Sequence, residues 1–169
     1  MSWRSIHRRD EVLRHVIAAA DVRRDGRLPM DITGVSETFA AKETLLAALQ
    51  LRWHVRLAAR ITHELAEHPC DRRQAVVTAW QGAALEMPGI LAIVDARRAR
   101  PVQLTQLNRA VTADLAMMAV AADEADQGAD DAPGVGLNLE RLARAGLPGL
   151  VNAGVIPPRI DEVRRVNVA

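Results

Sequence analysis

The sequence predicts an all-α fold: an antiparallel bundle of four main helices with a short C-terminal helix and an irregular tail. Three observations predict it. Ser36 to His68 is a stretch of 33 residues with no Gly and no Pro, along which Leu46, Trp53, Leu57, Ile61 and Leu65 recur at helical spacing. Thirty of the 169 residues are alanine, the best helix former, while Tyr is absent and Phe occurs once. The length itself fits one domain, which at this size buries about 70% of the surface its unfolded chain exposes. A helix of 33 residues would span roughly 50 Å at 1.5 Å per residue, so it must pack along its length against other helices.

The elements follow in order. A first helix is expected from Ser5 to Arg24, with Val12, Leu13, Val16, Ile17 and Ala20 on one face and Gly26 as its stop. Gly26, Pro29 and Gly34 make the next connection irregular. The long helix begins with Ser36 as N-cap and ends at Pro69. Asp71 and Gln74 stand at capping-box spacing and open a third helix, which Pro88 and Gly89 should kink or split. A fourth begins near Pro101, suited to a first helical position. It carries the stripe Leu104, Leu107, Val111, Leu115, Met118 and Ala122. Residues 1–125 thus form the bundle. Residues 126–169 read as an acidic, Gly- and Pro-containing linker, a short helix over Asn138–Ala145 and a tail that packs on the bundle or on a partner. Leu147, Leu150, Val151, Val155 and Ile156 are the apolar residues of that tail.

Charge narrows the function classes. Net charge is +1, so no global field draws the chain to nucleic acid or to a membrane surface. Residues 123–131 hold Asp123, Glu124, Asp126, Asp130 and Asp131 with no basic residue, whereas residues 1–30 hold seven Arg. The one cysteine, Cys70, excludes an internal disulfide framework. Gln74–Val94 carries a single charge, Glu86, but its Gln, Thr, Gly and Pro residues dilute it, and it reads as a buried bundle helix rather than a membrane span. No signal peptide is apparent, and a cytoplasmic protein is expected.

The motifs are sparse. His63 and His68 are five apart, about 140° around a helix, and cannot share a metal as the two His of a zinc-protease motif do. Asp21–Gly26 begins like a calcium loop but places Arg23 where an oxygen ligand is needed. Arg52, Arg56 and Arg60 form a ladder that reads as a solvated face, with no interleaved aromatic to suggest nucleic acid. The informative pattern is polar residues in the apolar seam. At 100° per residue Glu43, Gln50, His54, Glu64 and His68 fall in the sector of Leu46, Trp53, Leu57 and Ile61. Buried polar groups need partners. Glu64 and His68, four apart, are the leading pair for a divalent metal, with Glu43 and His54 as further candidates and Asp114 and Glu86 as ligands from other helices.

No nucleophile, base and oxyanion donors can be assembled, so no catalytic residue is expected. The leading expectation is a non-enzymatic interaction or scaffold protein without cofactor, meeting a protein partner or a second copy of itself. The alternative is a small-molecule- or metal-binding bundle with a polar site in the long helix's seam. Trp53, mid-helix among Leu46, Leu49 and Leu57, is expected to anchor the core.

Overall fold

The computed structural model describes residues 3–99 and 105–147, and the regular structure there is entirely helical. Seven helices follow one another: α1 (Trp3–Arg23), α2 (Val35–Thr38), α3 (Lys42–Glu67), α4 (Arg72–Glu86), α5 (Pro88–Arg98), α6 (Thr105–Ala121) and α7 (Ala132–Ala145). The all-α class is as the composition and periodicity predict.

Helix α1 buries Val12, Leu13, Val16 and Ala20, the expected face. The stretch from Ser36 to His68 is not one helix. Val35–Thr38 makes a single turn, Phe39 turns extended (φ −118°, ψ 100°), and α3 starts only at Lys42. Ser36 therefore lies inside α2, and the N-cap of α3 is Ala41, which offers no side-chain cap. The physical reason is Phe39. The extended backbone delivers its ring to the core at 1% exposure, with the Arg9 guanidinium 4.7 Å over the ring face. Burying a large aromatic outweighs the small gain of an unbroken turn. At 26 residues α3 is still the longest helix described. Trp53 is 5% exposed and meets Trp80 edge-on at 6.0 Å, so it is the core anchor expected.

A short connection through Pro69 returns the chain into α4. The Asp71 carboxylate accepts from the Gln74 N–H at 3.1 Å and caps the helix, as the spacing predicts. Pro88 and Gly89 do divide the next segment: α4 and α5 meet at 102°. Asp21, at the end of α1, accepts from the Gly89 N–H at 2.8 Å, satisfying a donor at the start of α5. A Cβ on Gly89 would stand 2.2 Å from the Ala20 backbone, so only glycine permits this crossing. The apolar run Gln74–Val94 is thereby folded into the core, where Val76, Ala79, Trp80, Ile90 and Ile93 are buried. Among the described residues no single helix is long and apolar enough to cross a membrane.

The expected start of α6 at Pro101 lies outside the described residues, but its stripe is present, with Leu107, Met118 and Ala122 in the core. The segment after Ala122 differs from the sequence reading. Gly134 and Gly136 are not linker residues. They lie within α7, which begins at Ala132 with Pro133 in its first turn, ahead of the expected Asn138. A Cβ on Gly136 would stand 1.9 Å from the Leu115 carbonyl oxygen. This glycine serves close contact between α6 and α7 rather than flexibility. α7 buries Leu139, Glu140 and Ala143, and Leu147 beyond it rests on the core. Leu150, Val151, Val155 and Ile156 lie outside the described residues.

Candidate functional site: a groove with a buried carboxylate in its floor

Gln50 and His54 are one turn apart on the α3 seam, and Asp114 faces them from α6. The Asp114 carboxylate is engaged on both oxygens. Gln50 Nε2 donates to Oδ2 at 2.8 Å, and His54 Nδ1 lies 2.6 Å from Oδ1. Asp114 is 5% exposed, whereas 44% of the His54 side chain remains open. Burial pushes the Asp114 carboxyl above the ordinary carboxylate range, an effect that the bond and charge of His54 and the bond from Gln50 partly offset. In the neutral tautomer that donates Nδ1–H to the carboxylate, the imidazole keeps its lone pair on Nε2.

These three residues form the polar floor of an open groove of about 810 Å³ between the N-terminal halves of α3 and α6. Its walls are apolar: Leu46, Ala47, Leu51, Leu107, Ala110 and Ala113. Glu43, Gln106 and Arg109 stand at its exposed rim. Beneath the floor is a void of about 20 Å³, bounded by Gln50, Trp53, Trp80, Arg98, Asp114 and Glu140 among others. Gln50 Oε1 is buried with no hydrogen-bond partner among the described residues.

On the far side of that void lies a second polar cluster. Arg144 of α7 clasps Asp95 of α5 with two bonds, 2.9 and 2.8 Å, and also donates to Glu140 at 2.6 Å. Arg98 donates to Glu140 at 2.8 Å. The Arg144 guanidinium also lies 4.9 Å from the Trp80 ring centre. Glu140 is held below the usual carboxylate range: burial raises it, but the charges of Arg98 and Arg144 together outweigh that. Two acids and two arginines leave this cluster neutral.

The residues singled out in the sequence fall in different places. His54 enters the groove floor with Asp114. Glu43 lies at the groove rim, exposed and remote from that pair along α3. Glu64 faces Arg60 at 3.8 Å, and Arg60 also bonds Glu86, so a guanidinium already stands between these two acids. His68 is the exposed C-cap of α3; its backbone N–H donates to the Glu64 carbonyl at 2.8 Å. Among the described residues no group of three or more His, Cys, Asp or Glu side chains could hold a metal ion. The arginine ladder is only partly a solvated face, because both Arg56 and Arg60 bond Glu86.

Sequence reasoning placed Gln50, His54 and Asp114 near the seam but did not pair them, since pairing depends on the register of α6 against α3. It missed Asp95, Arg98, Glu140 and Arg144 as a unit. Their spacings, Asp95–Arg98 at three and Glu140–Arg144 at four, were the available signal. Comparison with known proteins finds no matching family model, curated protein or solved structure, so the reading of the site rests on its geometry.

Proposed function

We propose that this protein is a helical bundle that binds a small organic molecule in the groove between α3 and α6. One observation carries the reading. The groove combines apolar walls with a buried, hydrogen-bonded carboxylate–imidazole pair in its floor, and its volume lies within the range of about 300–1,000 Å³ usual for ligand sites. A polar pair in the core of a bundle costs desolvation. Here the cost coincides with an opening to solvent, which is the arrangement of a recognition site rather than of a packing contact. The walls supply affinity through burial of the ligand's apolar body, and His54 supplies orientation.

The test is a neutral solvatochromic dye, Nile red, added to the purified protein. The expected result is saturable fluorescence at one site, lost in Ala113→Trp, whose indole would fill the groove from an exposed position on α6. Dye binding unchanged by that substitution would remove the reading.

A second reading has its own observation. Leu51 and Val55, one turn apart on α3 beside the groove, are 62% and 54% exposed. A protein partner or a second copy of the bundle seated on this strip is the interaction-module alternative. Light scattering of the native chain against Leu51→Gln/Val55→Gln tests it, with a concentration-dependent dimer in the native chain alone as the supporting outcome.

A further inference from the structure

We infer that the groove is built for an organic cation: an amine whose aliphatic body lies along Leu46, Leu51 and Leu107 and whose N–H donates to Nε2 of His54. This rests on the groove reading above and goes beyond it by giving the ligand its charge.

The argument is a comparison of buried acids. Among the described residues three carboxylates are buried: Asp95, Asp114 and Glu140. Asp95 is bonded by Arg144, and Glu140 by Arg98 and Arg144. Asp114 alone has no guanidinium bonded to it. Its partners are an amide, Gln50, and an imidazole, His54. A buried charge of this kind is satisfied when an opposite charge arrives. Two cations can supply it: a proton on His54, or the head of a ligand donating to His54 Nε2. The imidazole transmits the carboxylate's preference outward, because Nδ1–H is committed to Asp114 and the lone pair on Nε2 is thereby made a better acceptor. The surrounding charges are Glu43 from α3, Arg109 from α6, Glu140 from α7 and Arg98 from α5. Arg98 and Glu140 are bonded to each other, and Glu43 and Arg109 are exposed at the rim with opposite signs. Among the described residues His54 alone is paired with Asp114, and it carries a charge only when protonated.

Proton and amine therefore compete for one lone pair. Amine binding should weaken on acidification, and a carboxylate ligand should behave oppositely. The experiment displaces Nile red from the native protein with octylammonium, octanoate and 1-octanol at pH 8 and pH 5.5, with circular dichroism as the check on folding. Octylammonium is expected to displace the dye at about tenfold lower concentration than 1-octanol at pH 8, and to lose most of that advantage at pH 5.5. Asp114→Asn, with its folding checked by circular dichroism, should erase the advantage of octylammonium over 1-octanol. Equal potency of the three probes at pH 8, or octanoate as the strongest, overturns the cation assignment and leaves the groove standing. Failure of the dye itself to bind removes the groove reading and the cation with it.

Discussion

The two polar clusters of this bundle are built from the same residue types and differ in one respect, charge closure. On the α5/α7 side Asp95, Glu140, Arg98 and Arg144 satisfy one another, and Arg144 also rests on Trp80. On the α3/α6 side Asp114 is buried as deeply but, among the described residues, bonds only Gln50 and His54, and it lies under an opening of about 810 Å³. The closed cluster fastens α7 to α5, joining two helices far apart in sequence. The open one leaves an interaction unmade. Asp114 relies on an imidazole that is charged only when protonated, whereas Asp95 and Glu140 hold permanent guanidinium charges. The difference separates a structural use of buried charge from a binding use, and substitutions in the two clusters should therefore diverge.

The largest effect is expected at the wall between them. Trp53 and Trp80 bound the void that separates the clusters. Trp53→Ala should cost about 3–5 kcal/mol, through lost burial and the cavity left behind. Chemical denaturation would measure it. A variant that unfolds like the parent but no longer binds Nile red would assign Trp53 to the groove instead of the core.

Next comes the closed cluster. Arg144→Met keeps the aliphatic stem but leaves Asp95 with only Arg98, 3.9 Å away, and Glu140 with Arg98 only. Breaking a buried pair costs about 3–5 kcal/mol. The lower end applies here, because 22% of the Arg144 side chain is still in water. The thermal midpoint should fall on the order of 10 °C. A shift as small as that of an ordinary surface substitution would show that α7 is held by Leu139 and Ala143 alone.

These two clusters also show what the sequence could and could not disclose. The helical class, the Trp53 anchor, the Asp71 cap and the break at Pro88 were legible because each depends on residues within a turn or two of one another. The start of α3 was not, because Phe39 breaks the helix to satisfy a tertiary demand, contact with the core and Arg9. The start of α7 was not, because a glycine that loosens a chain and one that admits a neighbouring helix look alike until Leu115 is seen against Gly136. At the site, helical phase put Gln50 and His54 on the seam, while their partner Asp114 is sixty residues or more away and its register is set by packing. Glu64 and His68 share a face by spacing, yet Arg60 takes the one and the helix end takes the other.

Burial raises the carboxyl of Asp114 in the open cluster and of Asp95 in the closed one alike, but among the described residues Asp95 has the bonded Arg144 guanidinium to offset it and Asp114 does not. Burial raises the folded-state pKa of Asp114 above its ordinary 3.8. The unfolded chain therefore releases this proton first as pH rises, and Asp114 withdraws stability above that value rather than adding it. Asp114→Asn removes the titration and keeps a polar group beside Gln50 and His54. Its stability should lie within about 1 kcal/mol of the native protein. Its advantage should grow as pH rises above 3.8, as a series of thermal melts would show. A loss as large as that of Arg144→Met would mean that Asp114 is a structural ion like Asp95, and the contrast between the clusters would collapse.

The smallest effect is expected at Glu86, a third acid that is compensated but lies near the surface. It is the last residue of α4, where the helix dipole disfavours a negative charge, and Arg56 and Arg60 of α3 offset that. The Arg56 hydrogen bond, supported by Arg60, holds its carboxyl down to about 2 from an ordinary 4.5. A depressed pKa adds stability above the unfolded value and loses it as pH falls through the folded one. Glu86→Gln should thus lower stability by less than about 1 kcal/mol at neutral pH, because the ion pairs are partly exposed and screened. The difference from the native chain should shrink from pH 4.5 downward and vanish near pH 2. It should also shrink with added salt, which the Arg144 effect, buried among helices, should largely resist. Equal salt sensitivity at both positions would show that α7 opens readily enough for water to reach Asp95, and would recast the closed cluster as a second surface network.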